Sequence, residues 1–127
     1  HSLAITTDGA LCSWGGGIFS MLGHGDEQRQ LLPKKVETLA GRRVVTVSGG
    51  SNHSLAITGD GSVWSWGWGA CGLLGHGNEQ NQLLPKKAEP LGGQRVVAVS
   101  AAGGHSLAIT GDGSVWSWGY GSSRQLG

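Results

Sequence analysis

The sequence predicts an all-β protein of antiparallel four-stranded blades, the units of a β-propeller, incomplete in this chain. Three observations carry that prediction. A block of 52 residues recurs, glycine makes up 25 of the 127 residues, and tryptophans alternate with period two inside short apolar runs. Glycine costs about 1 kcal/mol relative to alanine inside a helix, and it interrupts every window that would otherwise hold a 3.6-residue period. Helices are therefore not expected. Four short strands in about 50 residues is the size of a propeller blade.

The repeat sets the organisation. His1-Ser2-Leu3-Ala4-Ile5-Thr6 returns as His53 to Thr58 and again as His105 to Thr110. Leu22-Gly23-His24-Gly25 returns as Leu74 to Gly77, and Leu31 to Lys35 as Leu83 to Lys87. Aligned without a gap, residues 1–52 and 53–104 agree at 32 of 52 positions, and 53–75 and 105–127 at 18 of 23. The units are then 1–52, 53–104 and a partial 105–127, all within one domain spanning 1–127.

Within one unit the elements follow in order. His53 to Thr58 is a short β-prone run, and Gly59-Asp60-Gly61 signals a tight turn. Ser62-Val63-Trp64-Ser65-Trp66 alternates, which puts Trp64 and Trp66 on one face of a strand. The two runs read as a hairpin. A weaker extended segment lies around Pro85 (Leu84 to Glu89), and its proline, lacking an N–H, assigns it to a sheet edge. Arg95 to Ser100 is β-branched and matches Arg43 to Ser48. Strands are expected near 2–6, 11–14, 43–48, 53–58, 62–66, 95–100, 105–110 and 114–118. Taken from Arg43 to Gln94, one blade is complete.

Composition closes off other classes. Three prolines and no G-X-Y period exclude collagen-like and proline-rich chains. Nine basic against eight acidic side chains leave a net charge of +1, which argues against an electrostatic nucleic-acid binder or a polybasic membrane-surface protein. No apolar run approaches the ~18–20 residues of a membrane span. Two cysteines, Cys12 and Cys71, are too few for a disulfide framework and point to a reducing, intracellular compartment, cytoplasmic or nuclear.

Trp66-Gly67-x-Gly69-x-x-Gly72-x-Leu74-Gly75-x-Gly77, then Leu84-Pro85, Val96-Val97-Ala98-Val99 and Gly104-His105-Ser106-Leu107-Ala108, resembles the repeat of the Regulator of Chromosome Condensation (RCC) propeller family. The likeness covers essentially the whole chain. It departs at Gly17, Gly69 and Gly121, where the family usually has Asn, and at Met21 and Leu73, where it has Gln. Ser20 and Arg124 replace the glycine found at Gly72. The resemblance implies a seven-bladed propeller, of which this chain supplies about a third.

Four kinds of residue invite a chemical reading. Gly67 to Gly72 spells the G-x-G-x-x-G nucleotide fingerprint, but the helix it requires is absent from Leu73-Leu74-Gly75-His76-Gly77, and the other copies break the pattern. His1, His53 and His105 share one repeat position and His24 and His76 another, as fold-determining residues do. No catalytic residue, cofactor or metal site is expected. Lys34-Lys35 and Lys86-Lys87 read as a solvated edge that discourages strand pairing. The positions that vary among copies are the candidates for partner binding: Trp68 and Tyr120, equivalent to Gly16, in a glycine-rich loop, with Arg29 against Asn81 and Arg42 against Gln94. Trp68 and Tyr120 are either exposed anchors or packed under the neighbouring blade's loops.

The resulting expectation is a non-catalytic protein-interaction or scaffold module. The resemblance implies two more specific settings: a partner- or substrate-binding propeller of a HECT-type ubiquitin ligase, or a guanine nucleotide exchange factor for a small GTPase. Exchange activity requires a loop insertion that the gap-free repeats lack. Ultraviolet-B sensing, suggested by the six tryptophans, would place a Gly-Trp-Arg-His-Thr motif on Gly50 to Ser54, where Trp and Arg are missing. The partner is expected to be a protein, such as a small GTPase or a ubiquitination substrate. The isolated chain is expected to self-associate through uncovered blade faces.

Overall fold

A computed structural model describes residues 1–127 as ten strands in three antiparallel sheets. The first sheet holds β1 (Ser2–Ile5), β2 (Leu11–Gly15) and β3 (Gln30–Lys35). The second holds β4 (Val44–Gly49), β5 (His53–Thr58), β6 (Val63–Gly67) and β7 (Gln82–Lys87) in sequence order. The third holds β8 (Val96–Ala101), β9 (His105–Thr110) and β10 (Val115–Gly119). The chain is all-β, and its only helical pieces are four three-residue 3-10 turns. The sheets are successive blades: β1 packs on β4, β5 on β8, and β4 stands beside β8, leaving β3 and β7 at the outer edges.

The outer strand lies two residues earlier than the proline alone indicated. It runs from Gln82 to Lys87, where the sequence suggested Leu84 to Glu89. Lys87 pairs with Trp64, Lys86 with Ser65 and Gln82 with Gly67, with a register shift between. That irregularity passes Pro85 without asking it for a donor, and the edge position does the same on the other side. Beyond Lys87 the chain turns at Ala88, and Glu89–Leu91 form a 3-10 turn with Pro90 in its first positions.

The core is a repeated blade-to-blade layer. Leu11, Val36, Leu39, Val44, Ala56 and Trp66 are buried between the first and second sheets. Their counterparts Val63, Ala88, Leu91, Val96 and Ala108 are buried between the second and third, with Trp118 packed against them. Trp66 is completely inaccessible, and an indole buries on the order of 200 Å². Burial of this size between units explains why a blade is stable in company.

Candidate interaction surface

His1 and His53, at one repeat position, hold neighbouring blades together. His1 Nε2 lies 2.7 Å from the Ser54 hydroxyl, and His53 Nε2 lies 3.0 Å from that of Ser106, in each case one blade on. Ser54 donates to the Met21 carbonyl and Ser106 to that of Leu73. Each serine proton is thereby committed, so the histidine donates from Nε2 and its Nδ1 is the bare nitrogen. His53 Nδ1 is buried without a partner. Burial, reinforced by the charge of His105, pushes the His53 pKa down to about 4. His24 and His76 sit inside their own blades, 2.9 Å from Ser13 and Ser65, and burial lowers both. No three His, Cys, Asp or Glu side chains converge as a metal site would need.

The loops after β2, β6 and β10 lie at one end of the blades. Trp68 donates its backbone N–H to Asn52 at 2.9 Å, and Tyr120 donates to Gly104 at 2.8 Å. Gly67 and Gly69 are required by crowding. A Cβ on Gly67 would meet the Asn52 oxygen at 2.6 Å, and one on Gly69 the Gln80 oxygen at 2.0 Å. The fingerprint glycines therefore admit neighbouring backbone and lead into a 3-10 turn, Ala70–Gly72. Gly69 N–H donates to Asn81 Oδ1 and Cys71 N–H to Glu79 Oε1, which ties the loop to itself.

On this frame Trp68 is half-buried and stacks on Phe19 of the preceding blade, with ring centroids 5.6 Å apart and planes at 26°. Tyr120 is 47 % exposed and Ile18 55 %. Arg29 is exposed at the same end, on the β2–β3 loop. Three of the four candidates thus share one end of the blades. Arg42 does not join them. It stands at the opposite end, before β4, with its guanidinium 4.7 Å from the Trp64 ring centroid, in cation–π contact with the next blade. Phe19 and Ile18 complete the aromatic and aliphatic surface. Phe19 was legible as a varying position, since the equivalent residues are Cys71 and Ser123, but nothing in the sequence paired it with Trp68.

With this geometry in hand, comparisons with known proteins are decisive for the family. The Regulator of chromosome condensation (RCC1) repeat model matches residues 8–57 and 60–109, and a second model of the same repeat matches 44–73 and 96–125. The chain belongs to the RCC1 repeat family. Among curated RCC1-repeat relatives it is 44 % identical over 129 residues to the human E3 ubiquitin-protein ligase HERC2, covering 100 % of this chain and 3 % of that protein. It is 38 % identical over 127 residues to the Ultraviolet-B receptor UVR8 of Arabidopsis thaliana, covering 29 % of it. The chain therefore spans less than a third of these relatives' length. Among solved structures, human WBSCR16 superposes with a TM-score of 0.85 at 28 % identity, over 93 % of this chain and 30 % of that one. Prp20p from Saccharomyces cerevisiae, a structure described with its binding to Gsp1p and histones, also gives 0.85, at 25 % identity over 98 % of this chain and 32 % of that one. The RCC1-type β-propeller, partial in this chain, is the architecture that the three sheets express.

Proposed function

We propose that residues 1–127 are part of one RCC1-type propeller domain, with 43–94 one complete blade, and that it works as a non-catalytic module docking a protein partner. One observation carries the reading. Neighbouring blades present an aromatic residue, Trp68 and Tyr120, from the same loop position at one end, with Tyr120 47 % exposed. Large rigid aromatics of that kind supply contact area at low entropic cost. The 44 % identity to HERC2 supports placing the module in a large HECT-type ubiquitin ligase, where it would hold a substrate or partner inside the cell. An exchange-factor role has the weaker support, since the likeness to Prp20p rests on 25 % identity. No helix is long and apolar enough to cross a membrane.

Affinity capture of the intact protein from cells, with quantitative mass spectrometry, tests the reading. Trp68→Ala and Tyr120→Ala should each remove a common set of proteins, equivalent to a loss of more than ~1 kcal/mol in binding. Unchanged capture by both variants would refute the loop end as the docking surface.

A further inference from the structure

We propose that the opposite end of the blades is a second docking surface, for an acidic protein segment whose carboxylates are taken one blade at a time by paired arginine and lysine side chains. The distribution of charge is the first observation. Of the nine Lys and Arg, all but Arg29 and Arg124 stand in the last two residues of β3 and β7 or in the connections that follow them. A net charge of +1 hides this segregation.

The second observation is a repeated hollow at that end. One, of about 270 Å³, is lined by Asp8, Lys35, Arg42 and Arg43. Its counterpart one blade on, of about 240 Å³, is lined by Asp60, Lys87, Gln94 and Arg95. Both have an arginine whose stem is held in place. A Cβ on Gly9 would sit 2.7 Å from Arg43 Cγ, and one on Gly61 would sit 2.9 Å from Arg95 Cγ. The stem lies where only a glycine turn leaves room, so less freedom is lost when the guanidinium engages an anion. Arg42 joins the two hollows: it lines the first and stacks on Trp64, which pairs in the sheet with Lys87 of the second.

The chemistry selects a carboxylate-bearing segment over a nucleic acid. Arginine offers a planar fork of donors that matches a carboxylate, and lysine a point charge beside it. Five of the eight carboxylates share this end, Asp8, Asp60 and Asp112 in the hairpin turns and Glu37 and Glu89 in the connections. The Asp60 carboxylate is engaged by its own turn, accepting from Thr58 Oγ1 at 2.7 Å and from the Ser62 N–H at 3.1 Å. Asp8 and Asp60 line the hollows themselves, outnumbered by Lys35, Arg42 and Arg43 in the first and by Lys87 and Arg95 in the second, and this interspersed negative charge opposes a continuous phosphate backbone. It leaves room for separate acidic side chains that enter hollow by hollow.

The inference rests on the interaction-module reading but uses the other end of the blades, so either can fail alone. The test titrates the intact protein with a fluorescein-labelled peptide alternating Glu and Gly, with its Gln–Gly counterpart, and with an oligodeoxythymidine of equal charge. The Glu peptide should bind, weaken as salt rises, and lose at least about tenfold in affinity in Arg43→Gln/Arg95→Gln. Lys35→Gln/Lys87→Gln, at solvated strand ends, should weaken it in the same direction, and Arg124→Gln should not. Failure of the Glu peptide to bind, equal binding of the Gln peptide, affinity untouched by both double variants, or tighter binding of the oligonucleotide would each overturn the proposal.

Discussion

The indole N–H of Trp66 donates to the Met21 carbonyl at 2.9 Å, and Ser54 donates its hydroxyl to the same oxygen at 2.8 Å. Trp118 and Ser106 treat the Leu73 carbonyl in the same way. One backbone oxygen per blade is thus doubly held by the next, directly beside the buried apolar layer. Polar and apolar contacts between blades are joined at one place, and removing either component loosens both.

Trp66 is therefore predicted to be the most costly tryptophan to lose. Trp66→Ala should destabilise the protein by ~3–5 kcal/mol, a cavity where a full indole stood. Trp66→Phe should cost ~1–2 kcal/mol, since Ser54 still serves the Met21 oxygen. Tyr120→Ala, at an exposed ring, should shift stability by less than ~0.5 kcal/mol. Urea unfolding of the three variants checks the order, and equal losses at Trp66 and Tyr120 would contradict it.

His53 predicts a pH dependence with a definite sign. Its folded pKa of about 4 lies below the ordinary 6.5, so the unfolded chain binds the proton more readily. Stability is then fully present above about pH 6.5 and lost as pH falls toward 4, by at most about 3 kcal/mol from this group. Denaturant midpoints measured across that range should fall with pH, and His53→Gln, which keeps a donor toward Ser106, should flatten the slope. A slope unchanged in His53→Gln would show that another group is responsible.

Two glycines near the same junction should behave oppositely. A Cβ on Gly50 would lie 2.3 Å from His53 Cε1 and 2.4 Å from the Ala102 oxygen. On Gly103 the nearest atom, Ser51 Oγ, is 3.8 Å away. Gly50→Ala should cost ~1–3 kcal/mol as overpacking, while Gly103→Ala should stay within ~0.5 kcal/mol of the parent. Thermal melts of the pair decide it.

Arg42→Gln installs the residue that the next copy carries at Gln94. It removes the cation over Trp64 and should cost ~0.5–1 kcal/mol, as an exposed cation–π contact does. Trp64→Leu in the same background should then cost no more than the sum of its parts minus that coupling, which a double-mutant cycle measures.

Much of this architecture was legible in the residues. The 52-residue offset, the turn at Gly59-Asp60-Gly61 and the alternation of Trp64 with Trp66 determine which runs are strands and where the hairpins turn. Those are local properties: turn chemistry and side-chain period act within a few residues, and a repeat states them more than once. The tertiary structure decided what one blade presents to the next. Phe19 meets Trp68, Arg42 crosses to Trp64, and the Met21 carbonyl receives Trp66, none of them equivalent positions. A repeat identifies a residue's place within its own unit. Which places on adjacent units face each other depends on the rotation and stagger between blades, which only packing the whole apolar layer determines. The same reason separated Arg42 from Trp68, Tyr120 and Arg29: alternation of strand direction sends consecutive connections to opposite ends, and residues alike in their variability come to rest on different surfaces.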